Sequence, residues 1–166
     1  DASTNAIVNA SGMARGSLYY HFGDKFGLFN AIYSELVDEC YARVKVEMNK
    51  YQDQPDMAIF AGCDIFLDFC MKTDFRRIVL IEAQTALSYK QRLQKVEETI
   101  LVHLREVLNV LEQQKRLKGC SVNTIVIFIA GILAEVGRSF DNVSDLMKHK
   151  EECTKTLRIT LKAMIN

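Results

Sequence analysis

The sequence predicts an all-α fold, and three observations carry that prediction. Apolar residues recur at three- and four-residue spacing along most of the chain. The 166 residues contain a single proline, so strong helix breakers are nearly absent. No segment alternates apolar and polar residues in the way of a half-buried strand.

The elements follow in order. Residues 4–10 form a short helix, with Ile7 and Ala10 on one face and Gly12 just past its end. Residues 15–22 form a second short helix, broken by Gly23-Asp24. A long helix runs from about 25 to 50, with Leu28, Phe29, Ile32, Leu36, Val37 and Tyr41 at helical spacing. Pro55 suits the first turn of the next helix, with Gln54 or Asp53 near its cap. That helix, about 55–71, is apolar on more than one side and is therefore expected in the interior. Thr73 is placed as the cap of another helix that carries Phe75, Ile78, Val79, Ile81 and Leu87. From about 90 to 117 the period is regular, through Leu93, Val96, Ile100, Leu104, Val107, Leu108 and Leu111, and Gly119 ends it. Two helices close the chain, about 123–140 and 143–165, across the polar turn SFDNVSD.

Composition narrows the function classes. A hydrophobic content of 49% suffices for one real core. Lys+Arg and Asp+Glu balance at 21 each, which excludes a broad polycationic surface but not a local basic patch. The five cysteines, at 40, 63, 70, 120 and 153, are odd in number and form no Cys-x-x-Cys pair. They make neither a disulfide framework nor a zinc motif, and read as reduced thiols of a cytoplasmic protein. The longest apolar run, residues 125–134, is about half of the ~20 residues that a membrane span needs, and the first residues do not read as a secretory leader. The expectation is a soluble, cytoplasmic protein with no membrane partner.

The densest signal is SGMARGSLYYHFGDK, residues 11–25. A short helix, a turn containing Gly12 and a second short helix make a helix-turn-helix pattern. Ile7, Ala10, Met13, Leu18 and Phe22 supply an apolar seam. Arg15, Ser17, Tyr20 and His21 are then left facing outward, and Gly16 carries no side chain, so the start of the second helix can approach a large surface closely. DNA is such a surface, because the first turn of a recognition helix reaches base edges in the major groove. Tyrosine hydroxyls, His21 and Lys25 can hold phosphates, while Phe22 and part of Tyr19 pack inward. On pattern alone the alternative is a small packed helical corner with its rings buried.

Residues 2–32 closely resemble the DNA-binding domain of the TetR family of bacterial repressors. The family pattern has hydroxyl residues, an Ile five residues before a Gly, then Gly-Val, then Lys-Gly-x-Leu-Tyr-x-His-Phe-x-x-Lys-x-x-Leu. Here those positions read Ser3-Thr4, Ile7, Gly12-Met13, Arg15-Gly16-Ser17-Leu18-Tyr19-Tyr20-His21-Phe22, Lys25 and Leu28. The resemblance implies that Ser3, Thr4 and Asn5 lie at the DNA-facing start of the first short helix. It implies base reading around Arg15, Gly16 and Ser17, and phosphate contacts from Tyr19, Tyr20, His21 and Lys25. It also implies a two-fold pair of recognition helices roughly one DNA turn, ~34 Å, apart. Two departures are visible. Ala14 stands where the family has a capping Ser, a change that costs about 1 kcal/mol. The family carries a further helix ahead of the motif, and this sequence, which starts at Asp1, is expected to lack that first helix. Within residues 1–25, Arg15 and Lys25 are balanced by Asp1 and Asp24, a weak electrostatic footprint for DNA.

Beyond residue 35 the resemblance is one of helix order. It implies a homodimer packed through about 123–140 and 143–165, and a small-molecule cavity within the helical body. Val126, Ile129, Leu133 and Val136, with Gly131 and Gly137, form one candidate dimer surface. Leu146, Cys153, Leu157 and Leu161 form another, unless both stripes face their own core. Ligand pockets are mostly apolar with few polar groups, so polar residues on apolar stripes are the candidates. These are Asp64 beside Phe60, His103 in line with Ile100 and Val107, Glu82 and Glu135, with Phe66, Phe69, Tyr89 and Phe128 as walls. Two buried acids would call for a cationic or hydrogen-bonding ligand. The alternative for each acid is a helix edge in water, or an ion pair with Arg76, Arg77 or Arg138.

No catalytic constellation is present. His21, His103 and His149 are far apart, and no His-Glu-x-x-His, Gly-rich phosphate loop or Gly-x-Ser-x-Gly elbow occurs. No enzyme activity, metal or cofactor is expected. The expected organisation is a partial helix-turn-helix domain over 1–30 and a helical regulatory domain over 31–166. The expected function is a one-component transcriptional regulator, a repressor released from operator DNA by a small molecule. A second reading is a dimeric helical binding protein without a working DNA-binding head. A third, a cysteine redox sensor, would use Cys40 and Cys153 as the most exposed thiols.

Overall fold

The structure is a computed structural model that describes residues 15–165. The expected helix over residues 4–10, its turn at Gly12, and the candidates Ser3, Thr4 and Asn5 lie outside the described residues, as do the side chains of Arg15 and Leu18.

Seven helices are described. α1 is Arg15–Phe22 and α2 is Lys25–Met48, followed by a 3-10 turn, Asn49–Tyr51. α3 is Pro55–Met71, with the proline in its first turn, where its missing N–H costs nothing. α4 spans residues 73–86 and contains a π-helical stretch, Arg76–Glu82. α5 spans residues 89–113 and contains a second, Glu97–Leu101. α6 is Val122–Ser139, running into a 3-10 turn at Phe140–Asn142, and α7 is Leu146–Met164. Among the described residues the sole β pairing is an isolated bridge between Leu117 and Ile165.

α3 is the central element. Its wide apolar surface reaches α2, α5, α6 and α7. Ile59, Phe60 and Cys63 join Leu108, Ile129 and Leu161 in the largest core cluster. Leu67, Phe69 and Cys70 face Cys40, Val44 and Phe75 in a second. A third links α2 to the end of α4 through Tyr33, Val37, Ala83 and Leu87.

Several local expectations are corrected. The buried stripe of α2 is Tyr33, Val37, Cys40, Val44 and Met48, one residue out of phase with Ile32 and Tyr41. Lys72, not Thr73, occupies the N-cap of α4, and the Asp74 carboxylate accepts the Phe75 N–H at 2.8 Å. α5 ends at Gln113, before the left-handed Lys115 (φ 57°), rather than near 117. Cys40 is fully buried, and Cys120, in the α5–α6 loop, is the exposed thiol. Val126, Ile129, Leu157 and Leu161 are packed in their own core. The apolar residues that α6 and α7 leave on the surface are Ile127, Phe128, Met147 and Ile159.

Candidate functional site

The N-terminal site is built on the α1–α2 junction. Gly23 follows α1 in the left-handed conformation (φ 74°), and its N–H donates to Tyr19 O at 2.9 Å. Asp24 then caps α2, its side chain accepting the Gly27 N–H at 2.7 Å. Gly27 sits against the end of α1: a Cβ there would lie 1.9 Å from Phe22 O. These contacts seat α1 on the start of α2 and fix which of its sides faces out. Tyr20 is 86% exposed, and His21, Gly16 and Lys25 are also exposed. Tyr19 is at the surface, Ser17 is half-buried, and Phe22 turns partly inward. The His21 ring stands edge-on to Tyr20, with centroids 5.4 Å apart. The outward face of the α1–α2 junction therefore carries the hydroxyl and imidazole groups of α1 and the Lys25 ammonium of α2, around a glycine with open space beside it.

The second site is an apolar cavity of about 180 Å³ in the helical body. α2 contributes Tyr33 and Val37, and α3 contributes Phe66. The π-helical stretch of α4 contributes Val79 and Leu80, and that of α5 contributes Ile100 and Leu101. α6 closes the far side with Ile129, Leu133 and Ala134. π-helical turns widen the helix locally and are frequent at functional sites. Both such stretches among the described residues border this one space.

The polar lining is sparse. It consists of Tyr33, Gln84, Arg92 and Arg138, with no carboxylate among the described residues. One nitrogen of Arg92, Nη1, donates to the carbonyls of Ala83, Gln84 and Leu87 at the end of α4, the first two at 3.1 and 3.2 Å. Burial pushes the Tyr33 phenol up, and the Arg92 charge opposes that shift, so the two groups feel one another. Arg138 is paired with Glu135.

Of the nine side chains singled out for a ligand, Phe66 lines this cavity. The others stand outside it for identifiable reasons. Asp64 pairs with Arg158 of α7 and, with Phe60, borders a separate open groove. Glu82 pairs with Arg77 at 3.2 Å, and Glu135 with Arg138, both at exposed helix edges. His103 bonds Glu106 at 2.8 Å and borders a groove beside Tyr51. Phe69 is core, and Tyr89 and Phe128 are on the surface. Sequence reasoning missed Tyr33, Gln84, Arg92 and Arg138. A signal existed for Arg92, which falls on the stripe continued by Val96 and Ile100. A long basic side chain on such a stripe is hard to tell from one that snorkels to solvent.

Residues 1–32 match the model of bacterial regulatory proteins of the tetR family, and residues 57–164 match the model of the tetracyclin repressor-like C-terminal domain. No curated protein matches the chain in sequence. Among solved structures, a TetR-family transcriptional regulator from Pectobacterium atrosepticum superposes with a TM-score of 0.82 at 21% identity, covering 99% of this chain and 84% of that one. The fatty acid degradation regulator FadR from Bacillus halodurans gives 0.80 at 16% identity, covering 95% and 84%. FadR from Bacillus subtilis, solved in complex with stearoyl-CoA, gives 0.76 at 17% identity, covering 94% and 87%. At these identities the likeness is one of fold. The family models, which between them take in the head and most of the body, carry the assignment: the chain belongs to the TetR family of bacterial regulatory proteins.

Proposed function

We propose that this protein is a transcriptional repressor that leaves its operator when a small molecule fills the cavity between α2, α4, α5 and α6. TetR-family regulators bind operator DNA and small-molecule ligands and act as dimers, and the family is one of regulators rather than enzymes. The observation that carries the reading is the role of α2. Its first turn seats the outward-facing α1, and Tyr33 and Val37, two to three turns further on, line the cavity. One rigid helix thus joins the DNA-facing unit to the ligand space. A ligand that shifts α2 changes the spacing of two recognition helices in a dimer, and such coupling is typically about 1–3 kcal/mol. Arg15, Gly16 and Ser17 read base edges; Tyr19, Tyr20, His21 and Lys25 hold phosphates; Ser3, Thr4 and Asn5 add further DNA contacts. The head is residues 1–30 and the regulatory body 31–166. Nothing favours the second reading, a binding protein without a working head.

The test is fluorescence anisotropy with duplexes from the DNA flanking its gene, at two salt concentrations, without any small molecule. Arg15→Ala is expected to cost about 1–3 kcal/mol and to relax sequence preference. Lys25→Ala is expected to weaken binding to all sequences and to reduce the salt slope by about one. Equal affinity for flanking and random duplexes, unchanged in both variants, would sink the reading.

A further inference from the structure

The cavity has a sign. The charged side chains that line it are Arg92 and Arg138, and no Asp or Glu lines it among the described residues. Arg138 is neutralised by Glu135. Arg92 is in no ion pair among the described residues; the described hydrogen bonds of its guanidinium all leave from Nη1 and end on carbonyls. Its Nε and Nη2 remain to donate elsewhere. A half-buried guanidinium without a carboxylate is a strong, planar recognition element for an oxyanion. A second observation points the same way. Tyr33 is 2% exposed as a residue and lines the same cavity, and none of the described hydrogen bonds engages its hydroxyl. A phenol O–H on the wall of a largely apolar space gives an entering ligand a polar partner. Gln84, on the turn whose carbonyls Arg92 holds, adds an amide at the same end.

We infer that the effector is an anionic amphiphile: an apolar chain lies against Phe66, Ile100 and Leu133, and a carboxylate-type head is held by Arg92 and the Tyr33 hydroxyl. This rests on reading the cavity as the effector site. It reverses the sign that Asp64, Glu82 and Glu135 would have given, since their ion pairs hold all three outside the space. The size fits a short chain. A cavity of roughly 150 Å³ accepts one benzene ring, and this one is about 180 Å³. The placement also supplies the coupling. Tyr33 lies two turns along α2 from Lys25, about 12 Å at ~1.5 Å per residue, so a head group bound to Tyr33 pulls on the helix that seats α1.

The experiment is isothermal titration calorimetry of the full chain with octanoate, octan-1-ol and octylamine, which share a chain and differ in charge. Octanoate is expected to bind tightest, about tenfold or more above octan-1-ol, as a charge-assisted hydrogen bond gives. Arg92→Gln and Tyr33→Phe are each expected to bring octanoate down to the affinity of octan-1-ol, with octan-1-ol itself unchanged. Tyr33→Phe keeps the ring in its seat, so it carries the test should Arg92→Gln lose its melting transition. Octanoate and octan-1-ol binding equally, octylamine binding tightest, or none of the three binding would overturn the inference. The operator titration contains no small molecule, so a failure here is distinguishable from a failure of the repressor reading.

Discussion

A Cβ placed on Gly27 would lie 1.9 Å from the carbonyl oxygen of Phe22, a backbone atom that cannot swing aside as a side chain can. Gly27→Ala must therefore move the end of α1 away from α2, while the body, which packs through other residues, keeps its core. Operator affinity is expected to fall at least roughly tenfold, about 1.4 kcal/mol, with the thermal transition little changed. An alanine variant that binds operator as tightly as wild type would show that α1 is not held by this contact. The thiols give a second residue-scale expectation. Burial pushes Cys40 and Cys63 from the ordinary 9.0 up to about 12, and pushes Cys70 up further still. A thiolate is the reactive form, so at neutral pH a maleimide is expected to label Cys120 first and these three only on unfolding. The sign of the linkage follows from proton counts. Between pH 9 and about 12 the native thiols keep protons that the unfolded chain has lost. Stability therefore falls as pH rises through that window, by up to about 1.4 kcal/mol per pH unit per thiol, and is unaffected by them below it. Urea melts across that range check the slope. A redox sensor built on Cys40 has no chemical footing in these surroundings.

At the scale of elements, the start of α5 shows what local chemistry contributes. Ser88 caps it, its hydroxyl accepting the Gln91 N–H while the Gln91 side chain accepts the Ser88 N–H at 3.0 Å, a reciprocal capping box. Ser88→Ala is expected to cost about 1 kcal/mol, seen as a fall of about 2–4 °C in melting temperature; no shift would mean that tertiary packing alone sets this terminus. The helices themselves were legible in the sequence because burial imposes the 3.6-residue period, and α3 announced its central place by being apolar nearly all round. The phase of α2 was not legible. Ile32 and Tyr33 are adjacent, both apolar enough to face inward, and the choice between them is made by Ala83 of α4 and Leu87 just past its end. The outward face of α1 was legible from residues 15–25, since a glycine among ring side chains weakens a packed corner but suits close approach to a large surface. The cavity was not. Its walls come from five helices, and the two π-helical stretches that border it leave no mark in residue spacing. The acids chosen for it looked like interruptions of apolar stripes, yet each lies where a basic partner waits, Arg77 and Arg138 on the same helix and Arg158 across on α7.

At the scale of the whole molecule, α6 with its following turn is long and apolar enough, by length and composition alone, to cross a bilayer. One of its faces is accounted for, since Ile125, Val126 and Ile129 sit in the core against α3, α5 and α7. The other is not: Ile127 is 68% exposed, Phe128 54%, and Gly131 has open space beside it. On α7, Ile159 is 63% exposed while Leu157 and Leu161 point inward. Helices that spend one apolar face on their own core and keep another bare are suited to a second copy of the same chain, because an isologous contact covers both copies' patches at once. The glycine at 131 would let two such helices approach closely. Phe128→Lys is then expected to leave the core and the cavity intact, since Phe128 belongs to neither, and to yield a monomer in analytical ultracentrifugation. Because each half-site contact is weak alone, the same variant is expected to lose specific operator binding by at least roughly a hundredfold, or about 2.7 kcal/mol, while still binding octanoate in the calorimeter. A wild-type chain that sediments as a monomer at micromolar concentration, or a Phe128→Lys variant that stays dimeric, would mean that the pairing surface lies elsewhere and that the bare face of α6 has another occupant.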